Sequence, residues 1–325
     1  MSNLIDIKVI GCGGGGVNAI NRMIDIGLTG VEFIALNTDA QALLTSPSDI
    51  KLDIGRHVTK GLGAGADPEQ GRLAAEENYE DIKDLVAGSD LVFLTAGMGG
   101  GTGTGSIPVV SRASKEAEAL TIGIVTTPFT FEGKNRMRNA LAGIEKLKPN
   151  VDTIITIPND NLLSMLDPRV SMLDAFAEVD TVLLKGIAAI TDLITTPGFI
   201  NVDFADVKRI MKNAGTAFMG LGSGSGKDRA DIAAKFATSS PILDIDLRGA
   251  KGVLLSIASS SNITMQEVNT IASVVSGQAH EDADIIFGTV LNENLGDEIR
   301  VTVIATGFDH EWYPMDIWNN NGIRR

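Results

Sequence analysis

Apolar residues follow two rhythms along this chain. Short runs of mostly branched apolar residues at 5–10, 31–36, 90–96, 121–126 and 153–157 alternate with stretches whose apolar positions fall three and four apart. Uninterrupted runs bounded by turns read as strands buried on both faces, and the three-and-four spacing reads as amphipathic helix. The alternation predicts an α/β fold with a Rossmann-like, doubly wound parallel sheet and a ligand at the carboxyl ends of its strands. Helical stretches are expected at 69–87 and 108–119. Between 171 and 195, Leu173, Phe176, Val179, Leu183, Ile187, Ile190 and Ile194 recur on one stripe that stops at Pro197-Gly198. A helix of about 25 residues spans about 37 Å, enough to connect two halves of a molecule. Beyond it, strands near 252–257, 284–289 and 298–306 alternate with helices at 228–238 and 265–276. They predict a second, smaller α/β domain with its own sheet. Residues 222–227 read as a flexible loop, and their Gly226-Lys227 pair lacks the spacing and the hydroxyl residue of a P-loop.

Composition narrows the class. The chain has 325 residues with 44% hydrophobic content, so it holds a sizeable core. Its 27 Lys and Arg against 41 Asp and Glu give a formal charge of −14, which excludes non-specific attraction to nucleic acid or to an anionic membrane. No apolar run reaches membrane-spanning length, and the first residues lack a signal peptide's basic and apolar regions, so a cytoplasmic protein is expected. Cys12, the single cysteine, reads as a small turn residue rather than a nucleophile.

The candidate chemistry lies in glycine. Gly97-Met98-Gly99-Gly100-Gly101-Thr102-Gly103-Thr104-Gly105 carries six glycines in nine residues, between a strand and a predicted helix. Such a loop removes the Cβ atoms that keep a ligand from the backbone, and the helix start behind it supplies unpaired N–H groups and a positive dipole end. It reads as a phosphate loop. Gly11, Gly13 and Gly16 fit G-x-G-x-x-G after the first strand, but the second strand ends in Asn37 and Thr38 rather than the acidic residue of a dinucleotide site. A nicotinamide-dependent oxidoreductase therefore stands only as an alternative. Residues 61–68 make a third glycine-rich loop. Asp203 reads as an N-cap and Asp206 as a first-turn acid favoured by the helix dipole.

Together these motifs resemble the bacterial cell-division GTPases of the tubulin/FtsZ family. The likeness is carried by the Gly-Gly-Gly-Thr-Gly-Thr-Gly run at 99–105 and by Asn201-Val202-Asp203-Phe204-Ala205-Asp206, which is similar to the synergy loop of FtsZ. Asn37-Thr38-Asp39-Ala40-Gln41, residues 61–68, residues 128–133 and Ile157-Pro158-Asn159-Asp160 add to it, in order, over nearly the whole chain. The resemblance implies a GTP-binding domain at 1–170, a central helix at 171–197, a C-terminal domain at 198–310 and a short tail at 311–325. It implies GTP or GDP with Mg²⁺. Gly14, Gly15, Gly16, Asn18, Gly65, Ala66, Gly97, Gly99, Gly100, Gly101, Thr102, Gly103, Thr104 and Gly105 would surround the phosphates, the two threonines adding hydroxyl donors. Glu132 and Arg136 would reach the ribose and phosphates, and Asn159 would join the nucleotide site. Phe176 and Asp180 would take the guanine. On periodicity alone Phe176 is a core residue and Asp180 part of a solvated helix face. Asn201, Asp203 and Asp206 of one subunit would act on the nucleotide of the next. The implied partner is the chain itself, head to tail, in a filament of the midcell division ring, or, for a tail-less paralogue, in co-assembly with other filaments. The long linker and adaptor-docking peptide usual in the family have only a faint counterpart after Pro314, which leaves adaptor docking open.

Overall fold

The computed structural model describes residues 5–163, 166–167, 169–240 and 247–308. The tail at 311–325 lies outside the described residues. The first βαβ unit is β1 (Ile7–Cys12), α1 (Gly13–Ile26) and β2 (Glu32–Asn37). Then come α2 (Ala40–Thr45), β3 (Ile50–Asp53), α3 (Arg56–Thr59), α4 (Pro68–Glu77) and α5 (Tyr79–Val86). The expected single helix at 69–87 is thus two, divided at Asn78, whose side-chain oxygen accepts from the Gly55 amide at 2.9 Å and ties the break to the chain after β3.

β4 (Leu91–Gly97), α6 (Thr102–Glu116), β5 (Leu120–Thr127), α7 (Lys134–Leu147), β6 (Thr153–Pro158) and α8 (Asn159–Leu163) complete the N-terminal half. α6 begins six residues earlier than expected and carries Pro108 in its interior, so Thr102 to Gly105 form its first turn rather than a preceding loop. α9 (Met172–Thr195) follows, opened by Ser171, whose hydroxyl accepts from the Asp174 amide at 3.1 Å. It ends where Pro197 disfavours helical geometry in the residue before it. The C-terminal half comprises α10 (Phe204–Met211), β7 (Gly215–Gly224), α11 (Arg229–Thr238), β8 (Gly252–Ser259), α12 (Met265–Ser276), β9 (Asp284–Leu291) and β10 (Ile299–Thr306).

The strands form one ten-stranded sheet in the order β3-β2-β1-β4-β5-β6-β7-β10-β8-β9. Strands β3 to β7 in this order are parallel, and β10 runs antiparallel to both its neighbours. The C-terminal strands pair among themselves as expected, but their sheet is continuous with the N-terminal one through a shared strand. β7 joins the two: Gly215 to Ala217 pair with β6, and Phe218 to Gly224 pair with β10. Gly222 and Gly224, expected in a flexible loop, lie in this strand and serve close packing. A Cβ on Gly222 would lie 2.0 Å from the Ala233 carbonyl oxygen, and one on Gly224 would lie 2.2 Å from that of Arg229, so α11 rests directly on the strand.

Alternation across the sheet divides the core. Val9, Phe33, Phe93 and Ile122 point to the face covered by α1 and α9, whereas Ile10, Ile34, Val92 and Leu94 point to the face covered by α4, α5, α6 and α7. Val179, Leu183, Ile187 and Ile190 of α9 share one cluster with Ile155 of β6 and with Leu254 and Ile304 of the C-terminal half. Each such buried side chain contributes about 1.5–3 kcal/mol, so the central helix binds the two halves together through their common face. Gly186 lets it lie close, since a Cβ there would be 2.8 Å from the Met219 sulfur on β7. The expected apolar stripe holds from Val179 onward, but Leu173 and Phe176 at its start are exposed.

Gly222→Ala should destabilise the chain by about 1–3 kcal/mol, because the backbone of α11 has to move. Ser223→Ala, at an exposed position of the same strand, should change stability by less than about 0.5 kcal/mol in the same urea titration.

Candidate functional site

The strand order reverses between β1 and β4, and an α/β sheet opens a crevice at the carboxyl ends of its strands at such a point. The glycine loops after β1 and β4 both enter that crevice. α1 has Cys12 at its N-cap and α6 has Gly101, and neither helix start has a side-chain capping bond. The first-turn amides of two helices are therefore presented together, with two positive dipole ends. Gly13 has a φ of +68°, and a Cβ on it would sit 2.5 Å from the Gly103 nitrogen. A Cβ on Gly103 would in turn meet the Cys12 carbonyl at 2.9 Å. The two loops interlock through backbone.

Most of these glycines are dictated by that interlock rather than by access for a ligand. A Cβ on Gly16 would fall 2.4 Å from the Thr95 carbonyl, on Gly101 2.9 Å from the Asp67 nitrogen, and on Gly105 2.0 Å from the Pro68 carbonyl. Gly99, at φ +105°, packs against the backbone of Arg136. Gly15 lies near Gly97, and both positions remain partly open. Gly14 and Gly100 have nothing within 4 Å of the added atom, and Gly14 and Asn18 are exposed. The loop at 61–67 closes over Gly101 through Ala64 and Asp67, with its Gly63 amide bonded to the Thr38 carbonyl at 3.1 Å. Gly65 and Ala66 both stand exposed in left-handed backbone, which is strained for an alanine. Thr104 departs from its expected part: it is buried, and its hydroxyl accepts from the Gly99 amide at 2.7 Å, so it braces the loop from within.

Residues after β5 and β6 form the adjoining wall. Glu132 accepts from the Phe129 amide at 2.9 Å and pairs with Arg136 at 3.0 Å. Asp160 holds Thr130 through both carboxylate oxygens, at 2.9 Å to the amide and 2.5 Å to the hydroxyl. Phe129 stacks on Phe131 with centroids 5.0 Å apart and meets Phe176 of α9 edge-on at 5.3 Å. Asn159 is buried, and its side-chain oxygen has no partner. An orphaned buried acceptor beside a crevice is costly unless something else satisfies it. Asp180 is half-buried rather than on a solvated face, and burial pushes its carboxyl up to about 7, opposed by Arg22 of α1. Cys12 is buried and its thiol is pushed up to about 12 by desolvation, so it carries no thiolate at neutral pH.

Three candidate residues lie elsewhere. Asn201, Asp203 and Asp206 follow the far end of α9, and Asp180 is about 22 Å from that end along the helix axis. Asp203 occupies the N-cap position of α10, but its side chain makes no capping bond, contrary to expectation. Asp206 pairs with Arg209 at 3.5 Å, and Arg209 also pairs with Asp284 at 3.0 Å. Asn201 accepts from the Gly198 amide at 2.8 Å, while Ile200 is bonded to Thr289 of β9. Sequence reasoning missed the bracing by Thr38 and Asp160, although both stand at strand ends inside the quoted motifs.

A crevice at a sheet's switch point, floored by the uncapped starts of two helices, defines an α/β nucleotide-binding protein. Comparison with known proteins specifies the class. Residues 6–167 match the Tubulin/FtsZ family, GTPase domain, and residues 215–309 match the FtsZ family, C-terminal domain. An FtsZ dimer from M. jannaschii is 44% identical over 93% of this chain and 88% of that one, with a TM-score of 0.90. CetZ2 from Haloferax volcanii, solved as a GTPγS-bound protofilament, shares the fold at 19% identity, with a TM-score of 0.83 over 97% of each chain. The chain belongs to the tubulin/FtsZ family and is a GTPase. The oxidoreductase alternative is set aside with that finding. Among the described residues, no helix is long and apolar enough to cross a membrane.

The glycines separate binding from folding. Gly14→Ala should leave the melting temperature unchanged or slightly raised, because alanine favours helix by about 1 kcal/mol. Its GTP affinity, read by calorimetry, should fall. Gly105→Ala should instead melt early, since the backbone of α4 stands in the way. A Gly14→Ala protein with wild-type affinity would remove the first turn of α1 from the phosphate site.

Proposed function

We propose that the chain binds GTP across the carboxyl edge of the sheet and hydrolyses it within a head-to-tail filament, the cytoskeletal element of a cytoplasmic division ring at midcell. In this reading the base lies against Phe176, Asp180 and Asn159. Glu132 and Arg136 reach the ribose and phosphates, and the first turns of α1 and α6, with the loop at 61–67, hold the phosphates. Asn201, Asp203 and Asp206 of the neighbouring subunit complete the site. The boundaries at 170, 197 and 310 divide the chain into its nucleotide domain, connecting helix and C-terminal domain.

One observation carries the reading: the carboxylates of Asp203 and Asp206 lie beyond the far end of α9, about 22 Å of helix from Asp180 at the crevice, and Asp203 is not consumed by capping. One subunit therefore cannot bring both sets of groups to one phosphate, whereas a head-to-tail neighbour can. A heterologous contact of this kind does not close on itself and propagates. The dimer and protofilament in which the relatives were solved support such self-assembly.

Phosphoryl transfer depends on positioning and charge neutralisation. The carboxylates orient and polarise the attacking water, and the helix amides take the charge that develops on the phosphate oxygens. Mg²⁺ bound with the nucleotide would supply further positive charge. The described residues contain no cluster of three His, Cys, Asp or Glu to hold an ion, so phosphate oxygens and water would be its main ligands.

Asp206→Ala should retain GTP affinity and lose hydrolysis, and mixing it into wild-type protein should lower turnover in proportion to the neighbours lacking the carboxylate. Loss of a helix-start acid alone would lower stability by up to about 1 kcal/mol with turnover intact. An Asp206→Ala protein that melts earlier but hydrolyses GTP at the wild-type rate would refute the shared site.

The base pocket makes a separate prediction. An ionised Asp180 accepts from the guanine N1 and 2-amino groups, which a protonated carboxyl cannot do as well. With its carboxyl near 7 in the free protein, binding must expel a proton at lower pH. Affinity should fall from pH 8 to pH 6, approaching about tenfold per unit below 7. Asp180→Asn should flatten that profile. The stability of the nucleotide-free protein runs the other way: a folded-state value raised above the unfolded value of about 3.9 gives stability that is full below about pH 4 and lost as pH rises through 7. Calorimetric titrations and thermal melts at four pH values would check both signs.

A further inference from the structure

Thr38 follows the last residue of β2 and is fully buried. Its backbone is fixed on both sides, the amide donating to Asn37 Oδ1 at 2.9 Å and the carbonyl accepting from the Gly63 amide at 3.1 Å. Its hydroxyl has one hydrogen-bond partner among the described residues, Thr102 Oγ1 at 2.6 Å. Thr102 is the first residue of α6, half-buried, with its Cβ 3.2 Å from the place a Cβ on Gly13 would occupy. Its hydroxyl therefore belongs to the junction of the two uncapped helix starts.

The hydrogen in this pair can be placed by elimination. A buried hydroxyl hydrogen without an acceptor is costly, and among the described residues Thr38 has no acceptor other than Thr102. Thr38 donates, Thr102 accepts, and the hydrogen of Thr102 is left free at the crevice. Thr104, the other hydroxyl of the loop, is buried and occupied with Gly99.

Strand order says which part of a nucleotide Thr102 meets. Along the carboxyl edge, Asn159 follows β6, Glu132 and Arg136 follow β5, the glycine loops follow β4 and β1, and Thr38 follows β2. Adjacent strands lie about 4.8 Å apart, so β6 and β2 are separated by about 19 Å, comparable with an extended nucleoside triphosphate. With the base at the β6 end, the β2 end receives the terminal phosphate.

We propose that Thr38 is a positioning residue that aims the Thr102 hydroxyl as a donor at the terminal phosphate, and so favours triphosphate over diphosphate. The inference rests on the nucleotide reading of the crevice.

The test is calorimetric titration of GDP and of GTPγS into wild type, Thr38→Val, Thr38→Ser, Thr102→Val and the double valine variant, at protein concentrations below assembly. Thr38→Val should lose about fivefold more affinity for GTPγS than for GDP, and Thr38→Ser should keep the wild-type ratio. The double variant should match Thr102→Val alone, because the hydroxyl that Thr38 aims is already gone. Should Thr38→Val not fold, Thr38→Ala, which also lacks the hydroxyl, carries the same comparison. A wild-type ratio in Thr38→Val, an equal loss for both nucleotides, or simple additivity in the double variant would overturn the proposal. Wild-type protein that binds neither nucleotide would overturn the site reading itself.

Discussion

The backbone contact between the starts of α1 and α6 is the constraint around which the rest of this molecule is arranged. Two helix N-termini, each equivalent to about half a positive charge, are brought together without a capping side chain on either. Left alone they repel, and their amides lack partners. A polyanion satisfies both. The chain can carry such a site despite its formal charge of −14, because the positive potential comes from oriented peptide groups rather than from lysine or arginine. It also follows that a bound nucleotide stabilises the fold, since it relieves a repulsion built into the empty protein.

Holding the helices so close needs backbone meeting backbone, and this accounts for the density of glycine better than ligand access does. Gly13 against Gly103, Gly16 against Thr95, Gly105 against Pro68 and Gly101 against Asp67 leave no room for a Cβ. Gly14 and Gly100, open on the side of the added atom, are where ligand access remains the better explanation. The hydroxyls divide in the same way: Thr104 is consumed in bracing the loop, and Thr102 is held at its edge by a residue of another strand.

The second constraint is α9. Its buried stripe belongs to a core shared by both halves, and β7 pairs with a parallel strand at one end and an antiparallel strand at the other. The two halves are continuous in sheet and in core. On the proposed reading the chemistry is nevertheless split, with Phe176 and Asp180 in the N-terminal half of the helix and Asp203 and Asp206 beyond its end. About 22 Å of rigid helix beyond Asp180 keeps them apart, which turns subunit contact into a condition of catalysis on the proposed reading.

Much of this was legible in the residues themselves. Buried parallel strands announce themselves as unbroken apolar runs, α9 announces itself over seven turns, and the glycine run at 97–105 marks a phosphate loop, because those signals depend only on local spacing. The strand β7 escaped notice because its ending Gly222-Ser223-Gly224 has the composition of a loop, and the reason for the glycines, the backbone of α11, lies across the fold. The start of α6 was displaced because glycine and threonine are poor helix formers whose placement here is decided by neighbouring loops. Asp180 could be read as solvated until burial raised its carboxyl, and Asp203 as a cap until its side chain was found uncommitted. The sequence by itself determined the alternation of elements and the class of ligand, since periodicity and glycine spacing are written along the chain. Which glycine meets backbone and which meets solvent, which threonine is spent and which is free, and which carboxylates stand apart are distances between residues remote in sequence, and only the tertiary structure decided them.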